Sequence, residues 1–455
     1  MLAGCASYHD RSLNLAKTAK TYESRTLDNP ELQRYLDTNS DHKPVKWPLD
    51  VWGLNALTLA AYYYSPELDA VRAKWGTAAA SVVTAGQRPN PALYLPFQYT
   101  PASPFTIGQS PWTFGLGLDI PVETAGKRGY RVAQAKQLST AALFDIGNVA
   151  WQVGSRVRTQ FLTLYFLGRQ ASISKRLAEK QSDIVTMLNQ RIAVGAASSP
   201  EVNQALITLM RNRTDLANMQ KQAEVARVQL ASAVGIPADA LNGIEFRFDA
   251  FKRAYPDIES GEAHRLAVLN RADILGALAR YQASQAALQL EIANQYPDIH
   301  LDPGYAWAES TNQISFGASG ITLPVFNRNQ GQIAQAEARR AEAEAQVKLL
   351  QAQAFGETDS ALTNYRASIK ILKRAETALT AQTMQLASVQ RSFATGATDR
   401  LTLALAQQAL GVSQLSQEQA LMRVQQAIGQ LQDAIQRPLP PVGAALSSNQ
   451  RQISP

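Results

Sequence analysis

Residues 112–120 read Trp112-Thr113-Phe114-Gly115-Leu116-Gly117-Leu118-Asp119-Ile120, with an apolar side chain at every even position. The odd positions hold Thr, Gly, Gly and Asp. A period of two is that of a β-strand with one greasy face. Three further stretches share the pattern. Leu93 to Tyr99 is apolar or aromatic at 93, 95, 97 and 99, and Ile299 to Trp307 alternates likewise. Ile314 to Leu323 starts in one phase (Ile314, Phe316, Ala318) and changes to the other at Ile321 and Leu323. Gly317 and Gly320 are therefore expected to mark a bulge. Each stretch has about the length that crosses a bilayer when tilted, with aromatics near the ends, as in interfacial girdles. The plainer alternative is two soluble hairpins with one buried face. Four strands do not close a barrel, for which about eight is the minimum. Strands of this kind span a membrane only if several chains share one barrel.

Outward from these strands the chain becomes helical. From about Gly126 to Val194, and again from about Asn329 to Thr395, there is no proline, and Ala, Gln, Leu and charged residues dominate, as helices prefer. Each run is worth about 100 Å of helix at 1.5 Å per residue. Rods of that length must pack lengthwise against others, as in a coiled coil. Shorter helices are expected at about Leu54–Ala85, Ser199–Val234, Glu262–Asn294 and Thr398–Gln436. Two short runs end to end equal one long run, so short helices are expected alongside each long one. Gly235-Ile236-Pro237 stops one of them.

Composition excludes several classes. Of 455 residues, 45% are hydrophobic and 18% charged, which excludes a disordered chain. No run approaches the roughly 18 apolar residues of a spanning helix. One cysteine and four scattered histidines exclude a disulfide scaffold and most structural zinc sites. The net charge of +7 is spread along the chain, so no nucleic-acid partner is expected.

The single cysteine lies in Leu2-Ala3-Gly4-Cys5-Ala6-Ser7. This resembles a bacterial lipobox, in which the cysteine is lipidated and anchors the protein to a membrane. The plainer reading is a free thiol near a loose terminus. The charged and apolar parts of a signal peptide do not precede Cys5, so a start upstream of Met1, or a trimmed chain, is expected. Residues up to about Trp52, with Pro44 and Pro48, read as an irregular, extended lead-in.

The chain repeats itself at an offset of about 200. Gly117-Leu118-Asp119-Ile120-Pro121-Val122 aligns with Gly320-Ile321-Thr322-Leu323-Pro324-Val325. Val132-Ala133-Gln134-Ala135 aligns with Ile333-Ala334-Gln335-Ala336, and Gly195 to Val202 with Gly396 to Leu403. Two copies of helix, strand pair, long helix, turn and helix fill most of the chain. The organisation read from this is a lipobox and N-terminal segment at 1–53, a first repeat at 54–234, a linker at 235–261, a second repeat at 262–436 and a tail at 437–455. The tail is rich in Pro, Ser and Gln and is expected to be disordered.

With these residues in view, the chain resembles the TolC-like outer-membrane factors of bacterial efflux systems. The turns Pro121-Val122-Glu123-Thr124-Ala125-Gly126-Lys127-Arg128 and Pro324-Val325-Phe326-Asn327-Arg328-Asn329-Gln330-Gly331 carry the likeness, which covers roughly residues 54–436. With Arg88-Pro89-Asn90-Pro91 they look most like the branch paired with heavy-metal exporters of the CzcC type. The resemblance implies a mainly α fold with a membrane β-barrel portion. In it, a homotrimer shares a twelve-stranded barrel in the outer membrane and a long α-helical tunnel across the periplasm. It places the Gly195 and Gly396 turns at periplasmic tips that meet an adaptor protein and, through it, an inner-membrane pump, expected to be a proton-driven resistance-nodulation-division type. The docking residues expected there are Gly195, Ser199, Glu201, Val202, Gly396, Thr398, Asp399 and Leu403. Either glycine permits the positive φ of a tight turn. Ser199 and Thr398 are expected as N-caps, and Pro200 suits a first turn.

In the family, acidic residues near the tips can line the tunnel entrance. Here Thr402 and Leu405 stand where an aspartate pair belongs, and the first tip offers Glu201 and Gln204. Glu201 is the candidate for an acidic ring, against the plainer reading of a solvated carboxylate at a helix start. No catalytic or cofactor motif is present: Gly126-Lys127-Arg128 lacks the spacing of a phosphate loop, and His9, His42, His264 and His300 are isolated. A passive duct needs no nucleophile, metal or cofactor beyond the lipid on Cys5. The competing class is a periplasmic adaptor or structural coiled-coil lipoprotein, which also carries long hairpins and a lipidated cysteine. The two repeats, each with a strand pair, favour the duct, for heavy-metal cations or drugs.

Overall fold

The computed structural model describes residues 7–39, 46–101, 110–252, 258–308, 311–319 and 321–439. Cys5, Pro44, Gly320 and the tail beyond Leu439 lie outside them. The chain forms two compact units, each built from separated segments.

One unit comprises Asp69–Asn148 and Arg271–Gln353. It contains most of α4 (Pro66–Gly86), β2 (Ala92–Tyr94), β3 (Phe97–Tyr99) and β4 (Trp112–Val122). It also holds the start of α5 (Lys127–Ala193), then α8 (Ala272–Ala293), β6 (Ile299–Ala308), β7 (Thr311–Ser319) and the start of α9 (Gln330–Ala394). The sheet is antiparallel, with β4 beside β6 and β6 beside β7. β2 and β3 both pair with β4 in one continuous register, from Ala92↔Asp119 to Tyr99↔Trp112. They are one strand interrupted at Leu95-Pro96, where Pro96 has no N–H for the ladder but its carbonyl still accepts from Gly115 N at 2.9 Å. Four strand lines result.

The register gathers the greasy side chains onto one face: Leu93, Phe97, Phe114, Leu116, Tyr305 and Ile314 among them. The other face carries Thr113, Gly117, Asp119, His300, Gly304 and Ser315. The fourth strand departs from expectation. It runs over 311–319 in the phase of Ile314 and Phe316, and its ladder with β6 is unbroken from His300↔Ser319 to Ala308↔Thr311. There is no bulge at Gly317, and Ile321 and Leu323 lie past the strand. The repeat is thus unequal: β4 continues through Pro121 and Val122, so Pro121 is a strand residue opposite His300 rather than part of the turn.

Both strand-to-helix turns use left-handed residues, Ala125 and Gly126 (φ 53° and 73°) before α5 and Asn329 (φ 61°) before α9. The first is fastened to the start of β6: Lys127 Nζ donates to Asp298 Oδ1 at 2.8 Å and to the Tyr296 carbonyl at 2.7 Å, and Thr124 N donates to Asp298 Oδ1 at 2.9 Å. The second is fastened to α8 by Asn329 Nδ2, 2.8 Å from the Glu291 carbonyl. Pro324 precedes it in irregular chain, and Gly331 is the second residue of α9.

The other unit comprises Met1–Leu68, Val149–Asn270 and Ala354–Pro455. Its helices are α1 (Leu15–Glu23), α2 (Pro30–Asn39), α3 (Leu54–Tyr64), the rest of α5, α6 (Ser199–Val234), α7 (Ser260–Asn270), the rest of α9 and α10 (Arg400–Ile435). Leu57, Phe161, Leu230 and Leu431 are fully buried among them, each worth roughly 1.5–3 kcal/mol of apolar transfer. β1 (Val51–Gly53) and β5 (Glu245–Arg247) form a short parallel ladder. Phe248 from the 235–261 linker stacks on Phe161 and Tyr165, with ring centroids at 4.6 and 4.8 Å.

Three expectations are corrected. The N-terminal segment is not extended throughout. α1 and α2 form in it, held by buried Leu32 and Leu36 and by Arg25, whose Nη1 donates to the Tyr64 and Gly235 carbonyls at 3.0 and 2.8 Å. The run 54–85 breaks at Ser65, in extended conformation before Pro66, as a residue preceding proline prefers. The run 262–294 breaks at Arg271, also extended, whose buried guanidinium bonds Asp273 at 2.8 Å.

Candidate functional sites: two helical turns and a two-faced sheet

The α5–α6 and α9–α10 turns are built alike. In the first, Gly195 (φ 72°) donates to the Ile192 carbonyl at 3.0 Å and Ala196 N to that of Arg191 at 2.8 Å. In the second, Gly396 (φ 76°) donates to Phe393 at 3.1 Å and Ala397 N to Ser392 at 2.8 Å. A six-to-one bond closing over a left-handed glycine is a Schellman-type stop.

The returning helices are capped one residue away from the expected positions. Ser198, not Ser199, is the N-cap of α6; its N and Oγ donate to Glu201 Oε2 at 2.6 and 2.8 Å. Asp399, not Thr398, is the N-cap of α10, and its Oδ1 accepts from Thr402 N at 2.8 Å. In each pair the cap is the residue immediately before the first helical one, and its backbone is extended, as a cap requires. Ser199 then becomes the first helical residue, with Pro200 beside it.

Arg191, in the last turn of α5, binds the Asp399 carboxylate and so ties one turn to the other. Sequence reading passed over Arg191; the signal was a cation one turn before a helix-stopping glycine. The Asp399 carboxyl is held below its ordinary range by the Thr402 amide first, then by Arg191. The Ser198 amide and hydroxyl do the same for Glu201. Glu201 is fully exposed and engaged in capping.

Beneath the turns, Ile184, Leu188, Val202, Leu209 and Ala404 form a core, with Leu401 against it. Val202 is only 7% exposed. It belongs to this core and is unavailable as a docking residue, because α6 turns that face toward α5. Gln204, Thr402 and Leu405 are exposed, and Leu403 is half-buried. Gln181 Nε2 donates to the Ala205 carbonyl at 2.9 Å and its Oε1 accepts from Gln408 Nε2 at 2.6 Å, joining α5, α6 and α10.

The sheet supplies the second feature. Ile314 and Phe316 are 87% and 81% exposed on its apolar face. On the polar face, His300 Nδ1 lies 2.7 Å from Asp119 Oδ1, across β4 and β6. Among the described residues no group of three His, Cys, Asp or Glu is placed to hold a metal ion. No helix there is long and apolar enough to cross a membrane.

The chain is 26% identical to the pyoverdine export outer membrane protein OpmQ of Pseudomonas aeruginosa, over 67% of this chain and 68% of that one. It is 23% identical to the cobalt-zinc-cadmium resistance protein CzcC of Cupriavidus metallidurans, over 48% of this chain and 51% of that one. The fold matches a crystal structure of a Pseudomonas aeruginosa membrane protein at a TM-score of 0.68 and 20% identity, covering 90% of this chain and all of that one. It matches the outer membrane protein VceC of Vibrio cholerae at 0.66 and 21% identity, covering 84% and 95%. These are TolC-like channel folds. The family described as outer membrane efflux protein matches residues 45–236 and 264–436, which takes in both hairpins and the whole sheet, and the chain belongs to that family.

Proposed function

We propose that three copies of this outer-membrane efflux protein close one twelve-stranded barrel and act as the passive exit duct of a tripartite assembly. The observation that carries this is the sheet: four strand lines, one continuous apolar face, and two strands with an unpaired edge, β2/β3 and β7. Exposed edges invite pairing with another chain, and closure by three chains removes every edge while turning the greasy face to lipid. In this reading the Gly195 and Gly396 turns meet a periplasmic adaptor, and through it an inner-membrane pump supplies the energy. Cys5 carries a lipid that adds an anchor in the outer membrane. The substrates are heavy-metal cations or drugs, the first in keeping with the name of the cobalt-zinc-cadmium resistance relative. The duct hydrolyses nothing; it opens when the turns shift on docking.

The test is the polypeptide mass of the detergent-purified particle by light scattering, corrected for bound detergent. Three times the 49.5 kDa chain is expected. A monomer that stays in solution without detergent would overturn the shared barrel.

A further inference from the structure

The turn between β7 and α9 opens a cleft of about 480 Å³. Val325 and Phe326 line it, with Gln295, Arg328, Gln330 and Glu337. Phe326 is 96% exposed in the single chain. Among the described residues neither the Arg328 guanidinium nor the Glu337 carboxylate has an ion-pair partner; only the Arg328 backbone is tied, its N–H donating to Gln330 Oε1 at 2.8 Å. The equivalent turn before α5 is different: Lys127 and Arg131 there are bound by Asp298 and Glu123.

A cation and a carboxylate that lack ion-pair partners among the described residues, in a cleft lined also by Val325 and Phe326, fit a zwitterion. A lone anion would meet Glu337, and a lone cation would meet Arg328. The cleft follows β7 in the chain, and β7 carries the exposed Ile314 and Phe316. We infer that this cleft seats the head group of a zwitterionic amino-phospholipid. The phosphate lies on Arg328, the primary ammonium on Glu337, and the glycerol and first methylenes against Val325 and Phe326. Arg supplies the paired donors that a phosphate accepts. The inference rests on the barrel reading, which brings this turn to the lipid interface.

The experiment is native mass spectrometry of the full, delipidated, detergent-purified particle, titrated with phosphatidylethanolamine, phosphatidylcholine or phosphatidylglycerol. Phosphatidylethanolamine is expected to bind best, because trimethylation removes the N–H donors and glycerol removes the charge. Arg328→Gln should weaken all three lipids, with a roughly tenfold loss for phosphatidylethanolamine, the scale of one charged hydrogen bond. Glu337→Gln should abolish the preference over phosphatidylglycerol, weakening phosphatidylethanolamine and strengthening phosphatidylglycerol, whose anionic head group no longer meets a carboxylate. Equal binding of the three lipids, or variants that bind as the parent does, would overturn the site. A photo-crosslinking residue at Phe326 separates the remaining occupant: labelled lipid is expected, and a crosslink to a second copy of the chain would put protein there instead. A particle that is monomeric and needs no detergent would overturn the barrel reading as well, whereas an intact trimer without lipid selectivity would overturn only this inference.

Discussion

The guanidinium of Arg191 binds the carboxylate of Asp399, so the last turn of α5 is tied to the N-cap of α10. Both side chains are partly exposed, 39% and 46%, and exposed pairs contribute less than about 1 kcal/mol. The bridge therefore sets the geometry of the two turns more than the stability of the chain. Arg191→Ala should move the melting temperature by no more than about 2 °C. Amide exchange over 194–199 and 397–402 should rise clearly, and leak through the assembled duct should rise with it. A double-mutant cycle with Asp399→Asn checks the pairing; additive effects would show that the two residues do not act together.

The corrected caps make a sharper claim. Ser198→Ala and Asp399→Ala each remove the side chain at an N-cap position, which costs typically about 1 kcal/mol. Ser199→Ala and Thr398→Ala should cost almost nothing. Denaturant melts of the four variants decide the matter, and an equal loss in all four would return the caps to an undefined loop.

Acid should loosen the turns, but late. The Asp399 and Glu201 carboxyls lie below their ordinary values of 3.8 and 4.5 in the fold, the first chiefly through the Thr402 amide and the second through the Ser198 amide. A depressed carboxylate stabilises fully above its unfolded value, and the contribution is lost as pH falls through the folded value. Exchange protection of the turns, corrected for intrinsic rates, should be level from pH 7 to about 5 and fall only below the ordinary carboxylate range. A fall between pH 7 and 5 would implicate another group.

Much of this arrangement was readable in the sequence, and the exceptions have physical reasons. The bounds of α5 and α9 were legible because proline-free, alanine-rich chain ends at a left-handed residue on each side. The break at Arg271 was invisible because no proline makes it; a buried guanidinium bound to Asp273 does. The β1–β5 ladder is three residues long and pairs Val51 with Glu245, so no local period announces it. α1 and α2 are short and polar, and form because Arg25, Leu32 and Leu36 find partners elsewhere in the unit. At the turns, two adjacent capping residues stood at each helix start (Ser198 and Ser199, Thr398 and Asp399), and composition could not rank them. Arg191 pairs with a residue 208 positions away, which spacing does not reveal.

The glycines of the turns admit a direct test of their role. A side chain at Gly195 or Gly396 meets no neighbouring atom within 4 Å, so the obstacle is the backbone, at φ 72° and 76°. A β-branched residue is strained there by roughly 1–2 kcal/mol. Gly195→Val and Gly396→Val should deform the turns, leave the mass of the detergent particle unchanged and reduce export in cells. Normal export from either variant would mean the turns are not where the duct is engaged.

The sheet gives a different kind of glycine. At Gly117 the backbone is ordinary and the space is occupied: the ring of Tyr94, on the neighbouring strand, lies directly over the position a Cβ would take. The Tyr94 hydroxyl also reaches to 3.8 Å of the corresponding position on Gly304, in β6. One aromatic side chain thus covers two glycines on the polar face, and fixes the register of β2 against β4. Gly117→Val should drive the ring off and weaken the pairing of the interrupted first strand, whose outer edge is one the proposed barrel must close. The expected result is less trimer recovered in detergent, with a monomer or aggregate in its place. Tyr94→Ala in the same chain removes the collision, so the double variant should recover trimer above the single Gly117→Val level, though below the parent because the ring's packing is gone. If the double variant assembles no better than Gly117→Val alone, the ring is not the cause, and glycine is needed at 117 for another reason.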